Sequence, residues 1–274
     1  MQAIVPAAGL GTRMLPFSAL AAKELVPIGT HPAIQWVLEE ALAAGARGAV
    51  VILSPHKRSL RSFLEGHQRP AFAEYEESRH WQTLLEKLPV TIVEQPQPTG
   101  LGDALLRGRE AAEASGWEGP WYLMYPDNIV ADGIALSDAL RHTFTDSKVC
   151  CLACKDDKPY FGGNNFVIAG DKVGSGHLVT AVTRRDAPRP EGTLWRAAGR
   201  VLVNDEYFSA LAKARAGAED IELDDLDAYE PLINEGKLLC LPPKTAIYDV
   251  GCTEGYAEVW QAMLSGNLKF PGEG

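Results

Sequence analysis

Gly9-Leu10-Gly11-Thr12-Arg13 follows directly on the short apolar run Gln2–Pro6, and Lys23 stands ten residues further on in Lys23-Glu24-Leu25-Val26-Pro27. Small residues behind a strand let backbone N–H groups approach an anion closely, and Arg13 and Lys23 supply fixed positive charge. The chemistry this pattern serves is the holding of phosphates. Two common phosphate loops are excluded. The dinucleotide fingerprint needs a third glycine where Met14 stands, and the P-loop needs a Gly-Lys-Ser/Thr run that is missing. Pro16 also interrupts a clean helix start behind the loop. An ordinary turn using glycine for positive φ would account for Gly9 and Gly11 alone. It does not account for Arg13, Pro16, Lys23, Glu24 and Pro27 in fixed order.

Two carboxylates end short apolar runs further along. Asp127 follows Trp121–Met124 through Tyr125-Pro126, and Asp249 closes Ile247–Asp249 two residues before Gly251. Such strand-end acids hold divalent cations, or serve as plain turn residues.

The elements that must position these groups read as an alternation of strands and helices. Strands are expected at Gln2–Pro6, Gly48–Leu53, Val90–Val93 and Trp121–Met124. Helices are expected at Pro32–Ala44, Leu60–Leu64, Phe72–Leu88 and Gly102–Ala114. Ile34, Val37, Leu38, Ala41 and Leu42 recur at helical spacing, and Gly45 ends that run. In the second half, strands are expected at Val149–Ala153, Asn165–Ala169, Leu178–Thr183, Arg200–Val203, Leu238–Leu241 and Ile247–Asp249. Helices there are Asp205–Ala214, Asp225–Gly236 and Gly255–Leu264, and Lys155–Asn164 and Arg184–Gly192 read as loops lining a site. This order implies an α/β fold: a doubly wound, mostly parallel sheet flanked by helices in a single domain, with ligands at the carboxyl ends of the strands.

A chain of 274 residues is long enough for one such domain. Its net charge of −10 argues against bulk nucleic-acid binding but permits a local basic pocket. No apolar stretch reaches membrane-spanning length and no signal peptide is evident, so a cytoplasmic protein with no membrane partner is expected. Cys151 and Cys154 form a C-x-x-C without a second pair or a histidine at zinc spacing, so the five cysteines are expected to be core thiols rather than a metal site.

Gly-x-Gly-Thr-Arg-x-x-Pro followed by Ala-Lys-Glu-x-x-Pro resembles the sugar-1-phosphate nucleotidylyltransferases, most of all the bacterial uridylyltransferases that act on glucose-1-phosphate. The likeness recurs in four later segments. It implies transfer of a nucleotidyl group from an NTP to a sugar-1-phosphate with loss of pyrophosphate. It also implies a nucleotide-binding half over 1–130 and an acceptor-binding half over 131–274. Ala8, Gly9, Gly11, Thr12, Arg13 and Lys23 are then nucleotide-binding, with Arg13 and Lys23 holding the phosphates. Tyr125-Pro126-Asp127 and Asp249-Val250-Gly251 match the two family motifs that hold Mg²⁺. Val93–Ala104 resembles the base-reading loop, with Gln95 on the base edge and Gly100 packed against it. UTP is the favoured nucleotide, and dTTP differs at that edge only by a methyl. The family commonly forms dimers or tetramers, so a homo-oligomer is implied.

The resemblance weakens in places. Thr99 stands where Lys is usual and Asp103 where His is usual. Val182-Thr183-Arg184-Arg185 aligns with a Val-Glu-Lys-Pro segment: Arg184 keeps the cation for the acceptor phosphate, while Thr183 replaces the acid that holds sugar hydroxyls. Phe166, beside Asn165, replaces a glycine close to the sugar, and Leu194 falls near an expected Asn. Two readings of the acceptor side stand level: other residues, such as Asn164, Asn165 or Asp186, take over the sugar contacts, or the acceptor is a modified sugar, a cyclitol phosphate or another phosphorylated small molecule. Two further classes are weighed. A catalytically silent nucleotide-binding homologue is disfavoured because Arg13, Lys23, Asp127 and Asp249 are all kept, and a Rossmann oxidoreductase is disfavoured by Met14. No Ser/His or Cys/His pairing suggests a covalent intermediate.

Overall fold

A computed structural model describes residues 1–67, 71, 74–147, 149–156, 166–183, 194–217, 221–242 and 244–271, with backbone alone at 146–147, 155–156 and 194. Four strands carry the first half of the sheet: β1 (Gln2–Ala7), β4 (Ala49–Leu53), β5 (Val90–Glu94) and β6 (Trp121–Met124). Between the first two lies a hairpin of β2 (Pro27–Ile28) and β3 (His31–Pro32), and after β6 comes β7 (Asn128–Val130). The second half adds β8 (Cys150–Asp156), β9 (Phe166–Val173), β10 (Gly176–Thr183), β11 (Leu194–Val203), β12 (Leu238–Leu241) and β13 (Ile247–Asp249).

Nine strands form one sheet in the order β5-β4-β1-β6-β11-β8-β12-β10-β9. The first four run parallel, as expected. Their alternate residues serve two cores. Ala3, Val5 and Ala7 join the cluster that includes Ile34, Val37 and Leu38 of the helix Ala33–Ala43. Ile4, Val50 and Ile52 join the opposite cluster, with Ala104 and Leu105 of the helix Leu101–Ala114. A strand with helices on both faces reads as a continuous apolar run. Gly108 lets that second helix lie against β1 and β4, because a Cβ there would stand 2.8 Å from both Ile4 and Ile52.

Strand order reverses beside β1. The chain steps from β1 to β4 to β5 on one side, then crosses to β6 on the other. The carboxyl ends of β1 and β6 therefore border a topological switch point, where a crevice opens in folds of this kind. β11 runs antiparallel to β6 and β8, and β10 antiparallel to β12 and β9, so the second half is mixed. β11 pairs β6 with its C-terminal part and β9 with its N-terminal part, and the register breaks between Ala197 and Val201. Gly199 stands at that break with φ of 64°.

Most expected elements are present within a few residues. The sequence reading missed the helix Gly133–Ser147 altogether. Its buried side mixes Leu136 and Leu140 with Ser137 and Thr143, which blunts the apolar period. Asp132 Oδ1 accepts from the Ala135 amide at its start. The strand expected at Arg200–Val203 begins at Leu194, and the charged helix expected from Phe72 begins at Glu76. All five cysteines are buried and free, and burial pushes the Cys150 thiol up to about 12. Among the described residues no helix is long and apolar enough to cross a membrane.

Candidate active site

Asp127 and Asp249 are 122 positions apart in sequence and come together through the small β7–β13 sheet, in which Asp249 faces Asn128. The Val250 amide donates to the Asp127 carbonyl at 2.8 Å, and the Gly251 amide to Asp249 Oδ1 at 3.0 Å. A Cβ on Gly251 would stand 2.9 Å from Asp127 Oδ2, 3.1 Å from Asp249 Oδ1 and 3.2 Å from Arg13 Nη2. Both carboxylates and the loop arginine thus converge on one glycine. Gly255 seals the arrangement, since a Cβ there would lie 2.0 Å from the Asp249 carbonyl.

Each acid has a cation. Lys23 Nζ donates to Asp127 Oδ2 at 2.5 Å and Arg13 Nη1 to Asp249 Oδ2 at 3.2 Å. Burial alone would lower the pKa of Lys23, but the facing Asp127 carboxylate, with Glu24, reverses that, and the net shift is upward. Arg13 behaves alike: burial lowers and Asp249 raises, with a net rise. Both cations stay charged at any working pH. Two converging carboxylates fit a hard divalent cation, which takes one or two carboxylates and completes its shell with water and phosphate oxygens. No group of three or more His, Cys, Asp or Glu side chains forms a metal cluster among the described residues.

A cleft of about 480 Å³ opens at this point. Ala8 and Gly9 of the loop, Lys23, Gln95, Gly100 and Asp127 line it, so six residues expected to be functional share one wall or floor. Gly11 has φ of 74°, and its α-carbon lies against the Lys23 stem, where a Cβ would stand 3.1 Å from Cδ. Thr12 begins the short turn Thr12–Met14 that carries Arg13. Pro16 precedes a four-residue helix, Phe17–Leu20, so the chain behind the loop is broken as the proline implies.

Gln95 is buried, and its Nε2 donates to the Gly100 carbonyl at 2.9 Å, Asp103 Oδ2 at 3.1 Å and Thr99 Oγ1 at 3.3 Å. Gly100 has φ of 100°, and a Cβ there would lie 2.2 Å from the Leu223 carbonyl. Gly100 thus packs against Leu223 and also lines the cleft.

Of the residues expected to meet the acceptor, Phe166 and Thr183 face each other across the β9–β10 ladder. Arg196 of β11 faces Phe166 from the other side, with its guanidinium 4.2 Å from the ring centroid. Leu194 stands opposite Ile168, two positions from that pair. Thr183 Oγ1 is buried, and no partner for it occurs among the described residues. The three departures from the family pattern thus fall on three neighbouring strands. Arg184, Asn165, Asn164 and Asp186 lie outside the described residues.

The sequence also compares directly with known proteins. The family model for nucleotidyl transferases matches residues 2–265. The chain belongs to that family. It is a nucleotidyltransferase. It is 30% identical over 272 residues to a UTP–glucose-1-phosphate uridylyltransferase of Streptococcus pneumoniae serotype 4 (strain ATCC BAA-334 / TIGR4), covering 93% of this chain and 87% of the relative. It is 28% identical over 283 residues to UTP–glucose-1-phosphate uridylyltransferase 2 of Streptococcus pyogenes serotype M3 (strain ATCC BAA-595 / MGAS315), covering 98% and 91%. Its fold is that of a UDP-glucose pyrophosphorylase solved with UDP-glucose, with a TM-score of 0.78 at 24% identity over 97% of this chain and 98% of that one.

The sequence reading of this nucleotidyltransferase missed the groups that hold the site in place. Lys57 Nζ donates to both oxygens of buried Glu24 at 2.8 Å, which anchors the residue next to Lys23. Arg200 has no exposed surface. Its Nε and Nη2 donate to Glu40 at 2.8 and 2.7 Å, and its remaining hydrogens reach the carbonyls of Tyr125, Asn128 and Gly199. Tyr125 and Asn128 bracket Asp127. Tyr125 and Tyr229 both donate to Asp225, whose carboxyl is pushed well above its usual range by burial and by neighbouring Asp224. Arg200 follows Gly199 in the chain, but nothing in its spacing pairs it with Glu40, 160 positions away.

Proposed function

We propose that the protein transfers a uridylyl group from UTP to the phosphate of a sugar-1-phosphate, glucose-1-phosphate first among them. A phosphate oxygen of the acceptor attacks the α-phosphorus, the α–β phosphoanhydride bond breaks, and pyrophosphate leaves with that electron pair. The observation that carries this reading is the convergence of Asp127, Asp249, Arg13 and Lys23 at the switch-point cleft. Both reactants are polyanions, so the protein's work is to neutralise charge and align the attack.

Lys23 and Arg13 hold the triphosphate, with Arg13 toward the β,γ end that departs. Backbone groups of Ala8, Gly9, Gly11 and Thr12 close around the nucleotide, and Gln95 and Gly100 read the base. Asp127 and Asp249 hold Mg²⁺, which when bound supplies countercharge to the phosphates. Arg184 anchors the acceptor phosphate, and Asn165, Phe166, Thr183 and Leu194 line the acceptor pocket. Residues 1–130 then serve the nucleotide and 131–274 the acceptor, although Asp249 crosses over to the metal. The relatives' printed substrate, UTP with glucose-1-phosphate, supports the choice, and a cytoplasmic location goes with it.

Pyrophosphate release tests the proposal, crossing UTP, dTTP, CTP, ATP and GTP with a panel of sugar-1-phosphates in Mg²⁺. Release with UTP and glucose-1-phosphate is expected. No release from any combination would sink the transferase reading.

A second reading keeps the nucleotide chemistry and changes the acceptor to a modified sugar, a cyclitol phosphate or another phosphorylated small molecule. It is favoured by Phe166 under the Arg196 guanidinium beside Thr183, where a ring diol would meet an aromatic face and a neutral hydroxyl instead of a carboxylate. Ordinary turnover of glucose-1-phosphate would remove it.

A further inference from the structure

Thr99 and Asp103, the two positions of the base loop that depart from the family pattern, touch each other and Gln95. Thr99 Oγ1 donates to Asp103 Oδ2 at 2.6 Å, and Arg107 Nε donates to the same oxygen at 2.7 Å. Gln95 Nε2 reaches that oxygen too, together with the Gly100 carbonyl and Thr99 Oγ1. A carboxylate and a carbonyl only accept hydrogen bonds. Turning the Gln95 amide over would set its own oxygen against both, at about the 3 Å contact distance of a hydrogen bond. Nitrogen is therefore the inward atom, and Oε1 is the atom of this amide left for whatever enters the cleft that Gln95 lines.

The surroundings keep this arrangement from adjusting. Leu223 donates its amide to the Thr99 carbonyl at 3.0 Å and accepts from the Gly102 amide at 2.8 Å. Arg215 Nη2 also donates to the Thr99 carbonyl, at 3.0 Å, and stands 3.8 Å from Asp103 Oδ1. Asp103 is thus a charged acceptor held between two arginines on a clamped loop.

We propose that Asp103, with Thr99, is a specificity-determining positioning residue that fixes Gln95 as an acceptor only. A base must then offer it an N–H. Uracil and thymine present N3–H at the edge a pyrimidine reader addresses, whereas cytosine presents a lone pair at the same atom. The pair selects an imide base and rejects cytosine. This rests on the uridylyl-transfer reading above. A carboxylate at 103 cannot donate, but an asparagine can, so Asp103→Asn removes one of the two acceptors that hold the Gln95 nitrogen inward, leaves the Gly100 carbonyl, and so lowers the cost of turning the amide over.

The test is calorimetric binding of Mg-UTP, Mg-dTTP and Mg-CTP to the full chain, its Asp103→Asn variant and its Thr99→Val variant, with thermal melts alongside. The wild type is expected to bind UTP about 100-fold more tightly than CTP, because a site built around one hydrogen-bonding edge rejects its opposite strongly. Asp103→Asn is expected to narrow that ratio by about tenfold at an unchanged melting temperature, with UTP and dTTP shifting together. Thr99→Val narrows it less, and carries the same test if Asp103→Asn does not fold. An unmoved ratio in a folded variant overturns the selection, as does a wild type that prefers CTP. A wild type that binds none of the three overturns the uridylyl-transfer reading itself, which separates the two failures.

Discussion

The two halves of the sheet are built differently. Around the β1 and β6 ends, charges stand in pairs: Lys23 on Asp127, Arg13 on Asp249, Lys57 on Glu24 and Arg200 on Glu40. Along β9, β10 and β11, the residues proposed to meet the acceptor are an aromatic ring, a hydroxyl and a guanidinium lying over the ring. Polyphosphate transfer allows few solutions, because the countercharges must be fixed before the substrate arrives. A ring of hydroxyls can be met by many combinations of donors, acceptors and faces. Under the proposed function, the nucleotide side is the one in which residue types are dictated by chemistry, and the acceptor side is where a chain can change its substrate without losing its reaction.

The largest effect that would break this contrast is at Asp127. Asp127→Asn keeps the shape and the amide contact with Val250, which uses the backbone carbonyl. It removes a charge from the cluster around Gly251. Turnover is expected to fall by about 10³-fold or more with every acceptor in a pyrophosphate-release assay, at a melting temperature close to wild type. A loss confined to one acceptor would mean that the two sides are not separable in this way.

Next in size is the pair beneath that loop. Arg200 and Glu40 are both buried, and Arg200 spends its hydrogens on Glu40 and on the carbonyls flanking Asp127. Glu40→Gln leaves the guanidinium charge uncompensated. Chemical denaturation should show a loss of about 3 kcal/mol, since removing one member of a buried pair strands the other. A loss below about 1 kcal/mol, the size usual for an exposed pair, would show that water reaches Arg200.

These buried pairs also mark where reading the sequence stops working. The strand-glycine-cation run Gly9–Lys23 was legible because its chemistry is local: loop, arginine and lysine lie within one short stretch. Asp127 and Asp249 were legible as strand-end acids, and the family likeness set them on one metal, but their meeting depends on the β7–β13 pairing, of which only β13 could be read. The Arg200–Glu40 pair was not legible, as neither residue carries a local pattern that points to the other and each lies within a mostly apolar element. The helix Gly133–Ser147 escaped for a related reason, because Ser137 and Thr143 take core positions that a periodicity search reserves for apolar side chains. Thr99 and Asp103 were visible as departures, but their contact with each other emerges only once the loop turns back on Gln95.

A smaller effect bears on how the nucleotide side is held ready. Lys23 and Arg13 each donate to one of the two carboxylates. Lys23→Met removes the cation that holds Asp127 Oδ2, while Asn128 Nδ2 still donates to Oδ1. Mn²⁺, followed by electron paramagnetic resonance without nucleotide, is expected to bind this variant about tenfold more tightly than wild type. Equal binding would mean that Lys23 does not shield Asp127 from metal.

The smallest effect should come from the acceptor side. Thr183 stands across from Phe166, and Arg196 faces the same ring from β11, so a carboxylate at 183 would have a cation within its neighbourhood. Thr183→Glu restores the charged acceptor that a sugar diol binds better than a neutral hydroxyl. Its cost is kept low because Thr183 is only half-buried and its hydroxyl has no partner among the described residues to lose. The KM for glucose-1-phosphate is expected to fall by about threefold to tenfold, the range of one charge-assisted hydrogen bond on a partly solvated site. The KM for UTP should stay where it is. A matched fall in both constants would place Thr183 against the nucleotide, and the division between a charge-dictated side and an adaptable one would then have to be redrawn around β10.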